Sequence, residues 1–205
     1  YINNYYNEYS RQNILYKIES QTGVMDSVLN FAGGSNIGSS NPFGLMGLTY
    51  DCSGSSLYVS TIAGSRPESP KGKIYKLEIS VTDELIVKDS IENIDALSLA
   101  VVSIDGVKRL LYGEANHHTV KSIILDKNGN FTKFINQEID LNDPKFMSSH
   151  KAVHLKFVSD NVLEVSGAYF DYTLSIPGSH EKNTYTFKWN NARKKWDVLN
   201  IELKE

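Results

Sequence analysis

The chain has 205 residues, of which 40% are hydrophobic and 22% are charged, and its formal net charge is −3 at pH 7. This length allows one domain with a sizeable core, and the composition is that of a globular protein. There is no basic surplus of the kind that nucleic-acid binding needs, and no run approaches the ~20 apolar residues of a membrane-spanning helix.

The first predicted elements are strands. Tyr1-Ile2 is interpreted as the end of one strand, followed by an Asn-rich loop. Ile14–Glu19 is predicted to be a strand, and Val24–Leu29, after a turn at Gly23, is predicted to be the outer strand of the same sheet. The first sheet is therefore expected to lack its innermost strand.

The stretch from Gly44 to Ile79 contains three short runs that are rich in branched and aromatic residues and separated by turn residues. This pattern is typical of successive antiparallel strands. Asp51-Cys52-Ser53-Gly54 suits a tight turn, and Ala63–Gly72 is expected to be a long loop. In the third run, Ile74, Lys76 and Glu78 alternate with Tyr75, Leu77 and Ile79, which predicts one apolar and one polar face.

The later strands follow the same order. Asp105-Gly106 is predicted to be a hairpin turn, and Asp126–Asn130 another turn rather than a calcium loop, since Phe131 and Gln137 stand where an EF-hand needs Gly and Glu. The predicted strands are Glu84–Ser90, Ala96–Ile104, Arg109–Glu114, Val120–Leu125, Phe131–Ile135, Ala152–Phe157, Val162–Ser166, Tyr185–Trp189 and Trp196–Leu203.

The strands repeat. Equivalent second-strand positions at Tyr1, Leu57, Leu110 and Val162 are separated by 56, 53 and 52 residues. Radial repeats of four-stranded sheets have a period of roughly 40–50 residues, and longer loops explain the excess. We therefore predict an all-β chain with about 3.5 to 4 four-stranded antiparallel blades of a β-propeller, in one domain over residues 1–205. The blades are placed at approximately 1–32, 43–91, 96–140 and 151–205. A sandwich or barrel is the alternative.

The blade over Gly44–Ile79 resembles those of bacterial propellers in the broad NHL-like and SMP-30/gluconolactonase-like group. The resemblance is a blade pattern over most of the chain. That group contains calcium-dependent lactonases, with metal ligands on the inner strands, and many non-enzymatic binding domains. No residue here is matched to those ligands, so none is carried over. Because six blades are usual in the group, we expect an N-terminal part to be lacking, or a partner to complete the ring. A closed four-bladed ring is the third possibility.

The long loops are expected to lie on one face of the disc, which is where we predict the binding surface. The candidate binding residues are Glu114, Asn116, His117, His118, His150 and Arg66. His and Glu together can ligate a metal or perform acid–base chemistry, although adjacent His117 and His118 in an extended segment point in opposite directions. His154 is interpreted as a core or channel residue, and Trp189 and Trp196 as partners across the last hairpin. Should the first set be dispensable, the site is expected among Arg66, Tyr169, Asp171 and His180.

No complete catalytic constellation is visible in the sequence. The functional hypothesis is therefore a non-catalytic, extracytoplasmic propeller that binds a protein partner or small ligand through its long-loop face. A metal-dependent lactonase or esterase is the alternative, and only that alternative involves Ca²⁺ or Zn²⁺. Neither nucleic acid nor a membrane span is expected, and the incomplete ring is expected to associate through its open edges.

Overall fold

The computed structural model describes residues 12–31, 41–82, 84–142, 150–173 and 182–203. Within these ranges all regular structure is β-strand. No helix in this part of the chain could cross a membrane. The strands are β1 (Ile14–Ile18), β2 (Met25–Asn30), β3 (Leu45–Asp51), β4 (Ser56–Thr61), β5 (Lys73–Ile79), β6 (Leu85–Glu92), β7 (Ala96–Ile104), β8 (Val107–Glu114), β9 (Thr119–Leu125), β10 (Phe131–Asp140), β11 (Lys151–Ser159), β12 (Val162–Ala168), β13 (Asn183–Asn190) and β14 (Lys195–Glu202).

These strands form four separate antiparallel sheets. Strands β3–β6, β7–β10 and β11–β14 each make a four-stranded sheet in chain order, whereas β1 and β2 make a two-stranded sheet. Each strand hydrogen-bonds only to its neighbours along the chain. The predicted all-β class and four-stranded antiparallel sheets are therefore confirmed. We name the sheets blades 1 to 4 in chain order.

The first strands of successive blades lie side by side. Strand β7 packs against β3 on one side and against β11 on the other, and it also contacts β4. Such radial stacking, with each sheet joined to the next by its inner strand, is the arrangement of a β-propeller. A sandwich would instead stack two sheets face to face, so that alternative does not describe this chain.

Turn residues set the hairpins. Asp105 and Gly106 have φ values of 52° and 75°, which a two-residue turn between twisted strands requires. At the end of β3 the Asp51 carboxylate accepts hydrogen bonds from the backbone and hydroxyl of Ser53, which fixes that turn. The predicted hairpin at Asp105-Gly106 is thus confirmed.

The core consists of apolar layers between neighbouring blades. One layer between blades 3 and 4 includes Leu111, Val165, Tyr185 and Phe187, each no more than 2% exposed. At its outer end Trp189 and Trp196 face each other across β13 and β14, with ring centroids 5.4 Å apart. The two tryptophans therefore pack together, as the sequence indicates.

The alternation in β5 does not give the predicted polar face. Lys76 is only 1% exposed, because its long stem is covered while its amine reaches the turn between β9 and β10. Ile79, expected on the apolar face, is 61% exposed at the strand end. Neighbouring blades cover both faces of this sheet, so side chains on both faces are buried. The strand therefore lacks the polar, solvent-facing side that the alternation predicts.

Several strands also extend beyond the predicted bounds. Strand β11 runs from Lys151 to Ser159, rather than from Ala152 to Phe157, and its pairing with β12 shifts register twice. These irregularities break the period-2 pattern on which the prediction depended. The predicted strand end at Tyr1-Ile2 lies outside the described residues.

Candidate functional site

The long loops of blades 2, 3 and 4 meet at one face, and Asp95 lies at the meeting point. Its Oδ1 accepts hydrogen bonds from the Ser65 hydroxyl at 2.6 Å and the Gly72 amide at 2.7 Å. Its Oδ2 accepts one from the Tyr172 hydroxyl at 2.6 Å. Ser65 and Gly72 belong to the β4–β5 loop, and Tyr172 follows β12. The predicted gathering of the long loops on one face is confirmed for these loops.

Tyr172 connects this carboxylate to the loop after β8. Its hydroxyl oxygen is also 2.6 Å from Oδ1 of Asn116. A hydroxyl has a single proton, so Tyr172 donates to Asp95, and rotation of the Asn116 amide presents an N–H group to the hydroxyl. Burial raises the pKa of Tyr172, and the negative charge of Asp95 adds to this effect. Tyr172 is therefore a permanent donor at neutral pH and not a base.

Glu114 ends β8 beside this pair. Burial alone would raise the pKa of its carboxyl, but hydrogen bonds from Lys121 and Thr119 outweigh burial and hold the pKa below its usual value. The Lys121 amine lies 2.9 Å from Oε2, and His117 Nδ1 lies 3.2 Å from Oε1. Glu114 thus carries a fixed negative charge at neutral pH.

Lys151 begins the inner strand β11 at the same face and is only 9% exposed. Its amine donates a 3.1 Å hydrogen bond to the main-chain carbonyl of Asn116. Burial lowers the pKa of Lys151, and the opposing charge of Glu114 only partly offsets this. Within the ranges that the structure describes, no carboxylate forms an ion pair with this amine. Its lone pair is therefore more available at neutral pH than that of an ordinary lysine.

The structure brings together five of the six predicted site residues. His118 Nδ1 is 3.1 Å from the carbonyl of His150, and His150 Nδ1 is 3.2 Å from the hydroxyl of Tyr185. His117 is exposed, so the adjacent histidines do face different surroundings. The five are Glu114, Asn116, His117, His118 and His150, and with Asp95, Lys151 and Tyr172 they form what we call the loop-face cluster.

The remaining candidates lie around this cluster. Arg66 is exposed, and its backbone pairs with Ser69 within the β4–β5 loop. Tyr169 is exposed next to the start of the β12–β13 loop, and the Asp171 carboxylate accepts the Thr173 amide. His180 lies outside the described residues.

A separate groove runs along the axis, between the inner strands β3, β7 and β11. It has a volume of about 510 Å³, and its walls include Met46, Leu99 and Phe157. Among the described residues that line it, His154 is the one titratable side chain, and it is exposed. The interpretation of His154 as a core residue is therefore wrong, whereas its place in the groove lining is compatible with a channel residue.

The described residues contain no cluster of three or more His, Cys, Asp or Glu side chains that could hold a metal ion. At the loop-face cluster, Glu114 and Asp95 are already saturated by donors from the protein itself. Nothing in the geometry of this cluster therefore supports the Ca²⁺ or Zn²⁺ of the alternative hypothesis.

Sequence reasoning missed three members of the cluster. Asp95 and Tyr172 are 77 residues apart, and no local motif joins them. Lys151 stands directly after His150, but a lysine at a strand start usually projects into solvent. The one available indication was position, because Lys151 directly precedes the predicted inner strand Ala152–Phe157 on the long-loop face.

No family model and no curated protein matches the sequence. Among solved structures, the chain is similar to a GH43 glycoside hydrolase, a five-bladed propeller engineered to display endo-xylanase and exo-arabinofuranosidase activity. The identity is 10% and the TM-score 0.47, and the match covers 88% of this chain. The chain spans 34% of that protein's length.

This neighbour corrects the functional hypothesis. We expected a non-catalytic binding propeller, and the neighbour, a glycoside hydrolase, conflicts with that expectation. It lends no support to the lactonase or esterase alternative either. Both hypotheses are set aside, since absence of a familiar motif does not make a propeller non-catalytic.

Proposed function

We propose that the chain is an enzyme that acts on a small carbonyl compound, with the ε-amine of Lys151 as its nucleophile. One observation carries the proposal: Lys151 is only 9% exposed, and its amine bonds to the main-chain carbonyl of Asn116, with no carboxylate of the described residues as an ion-pair partner. Lysines in such surroundings are those that form imines with aldehydes and ketones.

The chemistry uses groups of the loop-face cluster. The amine nitrogen attacks the carbonyl carbon, forming a C–N bond and a carbinolamine. Loss of the hydroxyl as water then requires a proton donor, and we assign this role to the imidazole of His118, whose Nδ1 contacts the carbonyl of His150, the residue before Lys151. The Glu114 carboxylate stabilises the positive charge of the resulting iminium.

Trapping with borohydride tests the proposal. The full chain is incubated with pyruvate or glyoxylate at pH 7, reduced with sodium borohydride, and mapped by peptide mass spectrometry. We expect one dominant adduct at Lys151, at least tenfold above that of Lys156, an exposed lysine on the same strand. Lys151→Met should abolish the adduct, whereas Lys156→Met should leave it unchanged.

The pH dependence of lysine labelling gives a second test of the proposal. Because burial lowers the pKa of Lys151, its labelling should persist at a pH below that at which an ordinary lysine is labelled. Adducts spread over exposed lysines, with Lys151 unmodified in a folded chain, would contradict the proposal. Near-native circular dichroism of Lys151→Met excludes unfolding as the cause of a lost adduct.

Two expectations from the sequence, which concern the propeller group and the location of the protein, remain proposals. The blade pattern supports membership of the NHL-like and SMP-30/gluconolactonase-like group, and that resemblance in turn supports a bacterial protein that works outside the cytoplasm. Fractionation of the cells that produce the protein tests its location.

A further inference from the structure

The loop that holds the Lys151 amine is itself held by a buried tyrosine. The main-chain carbonyl of Asn116, which accepts the 3.1 Å hydrogen bond from this amine, lies in the loop between β8 and β9. Two contacts tie this loop down: the Ala115 amide donates to the main-chain carbonyl of Asp95 at 2.9 Å, and the Tyr172 hydroxyl lies 2.6 Å from the side-chain amide of Asn116. The place of the Asn116 carbonyl therefore depends on these two contacts.

Tyr172 is well suited to anchor the loop, because its own surroundings fix it. It is only 5% exposed and belongs to a buried apolar layer, where its ring lies against that of Phe170 at a centroid distance of 5.3 Å. The hydroxyl is fixed in turn, because it donates to the Asp95 carboxylate, and Asp95 is 2% exposed. Tyr172 thus presents its oxygen to Asn116 from one fixed point.

The amine of Lys151 has one hydrogen-bond acceptor among the described residues, the Asn116 carbonyl. A lysine stem is flexible, so this acceptor decides where the nitrogen points. After reaction with a carbonyl compound, the nitrogen of the protonated imine keeps a single N–H group, and the same carbonyl can accept it. One fixed oxygen can therefore orient the nucleophile before the C–N bond forms and the imine afterwards.

We propose that Tyr172 is a positioning residue, which through Asn116 holds the Lys151 amine in the direction of its substrate. The inference rests on the proposed function for the nature of that substrate, but the hold on the amine is a property of the chain itself. Without the Tyr172 hydroxyl, the Asn116 loop is free to move, and the amine turns from its buried acceptor towards water. Its reactivity then approaches that of an ordinary lysine.

Competitive labelling with acetic anhydride measures this hold without any imine chemistry. The neutral amine attacks one carbonyl carbon of the anhydride, gains an acetyl group and releases acetate and a proton. Mass spectrometry follows each lysine of the full chain from about pH 6 to pH 11. In Tyr172→Phe we expect the midpoint of Lys151 labelling to rise by at least about half a pH unit, because the amine becomes hydrated. The Lys151 adduct with pyruvate should form roughly fivefold more slowly.

Tyr58→Phe is the matched control. Tyr58 is fully buried, and its hydroxyl donates a 2.6 Å hydrogen bond to the main-chain carbonyl of Gly129, in a turn that does not belong to the loop-face cluster. Burial raises the pKa of both tyrosines, so neither change removes a charge. Tyr58→Phe should lower the melting temperature as Tyr172→Phe does, but it should leave the labelling midpoint of Lys151 unchanged.

Asn116→Ala tests the route by which Tyr172 acts. If Tyr172 acts through Asn116, this change alone raises the midpoint in the same way, and Tyr172→Phe adds little to it. Asn116 is half-buried, so its variant gives the answer even if Tyr172→Phe does not fold. The charged and titratable side chains around the amine are the same in all variants: Asp95, Glu114, His117, His118, Lys121 and His150.

The outcomes distinguish the positioning role from the proposed function. If pyruvate and borohydride leave Lys151 of the parent chain unmodified, but the acetylation midpoint rises in Tyr172→Phe and Asn116→Ala, the proposed function is wrong and the positioning role stands. If the parent chain forms the adduct, and both variants keep its rate and the parent midpoint, the proposed function stands and the positioning role is overturned. An equal rise of the midpoint in Tyr58→Phe also overturns the positioning role.

Discussion

At the residue scale, Lys76 shows how a charged side chain can hold two blades together. Its amine donates to Glu78 Oε1 at 2.6 Å, to the Asn128 carbonyl at 2.7 Å and to Asn130 Oδ1 at 3.1 Å. The Tyr58 hydroxyl donates to the Gly129 carbonyl of the same turn at 2.6 Å. Three of these bonds, to Asn128, Gly129 and Asn130, thus fix the turn between β9 and β10 of blade 3 to blade 2.

We expect Lys76→Met to destabilise the protein by about 1–3 kcal/mol, because it removes the three hydrogen bonds of a buried lysine. The measurement is the free energy of unfolding from urea denaturation. Lys73→Met is the matched control: Lys73 lies on the same strand and pairs with Glu92, but its side chain is 37% exposed. That change should cost no more than about 0.5 kcal/mol, and equal costs would contradict this account.

At the scale of elements, the approach of β8 to β11 depends on a missing side chain. A methyl group at Gly113 would lie 1.9 Å from the carbonyl oxygen of Ala152 and 2.8 Å from its Cβ. The Ser98 hydroxyl donates to that same carbonyl at 2.8 Å. Blade 3 can therefore contact blade 4 this closely only with glycine at position 113.

Gly113→Ala should destabilise the chain by roughly 1–3 kcal/mol through overpacking, since backbone would have to move. Ser103→Ala, on an exposed site of the neighbouring strand β7, should stay within about 0.5 kcal/mol. Thermal melting of both variants gives the comparison. An unchanged melting temperature for Gly113→Ala would show that β8 and β11 can separate at little cost.

The strands and the fold class could be predicted because turn chemistry and apolar runs are local. Asp105-Gly106, for instance, encodes its hairpin in two adjacent residues. Burial could not be predicted in the same way, because Lys76 alternates with apolar residues as a surface residue would and is buried by a turn over 50 residues away. Five of the eight residues of the loop-face cluster could be predicted, because the histidines and Glu114 stand close together in the sequence. Asp95 and Tyr172 could not, because only the packing of the blades brings these two distant residues into contact.

At the scale of the whole molecule, ion pairs join the blades on the face opposite the long loops. The Lys108 amine of blade 3 lies 2.6 Å from the Asp51 carboxylate of blade 2, and Lys194 of blade 4 lies 2.8 Å from Asp105 of blade 3. Burial alone would raise the pKa of Asp51, but the hydrogen bonds from Lys108 and Ser53 outweigh it and the pKa lies below its usual value.

This shift predicts a dependence of stability on pH. A carboxyl with a lowered folded-state pKa stabilises the protein above its unfolded-state pKa, and the contribution is lost as the pH falls below about 4. Asp51→Asn should cost roughly 1 kcal/mol at pH 7 and close to nothing at pH 2, by urea denaturation. Asp160→Asn, at an exposed position, should change stability by no more than about 0.5 kcal/mol at pH 7. A cost for Asp51→Asn that is independent of pH would refute the ion-pair account.

The strands pair in the order in which they occur in the chain, and this has a consequence for folding during synthesis at the ribosome. Because each described strand hydrogen-bonds only to strands adjacent in the chain, pairing closes only the loop between two consecutive strands, and its entropic cost is lower than that of pairing distant parts of the chain. Each of the three complete blades can pair as soon as its fourth strand has left the exit tunnel, without waiting for the C-terminus. The inner strand of the next blade then meets a finished surface, so the nascent chain can assemble one blade at a time.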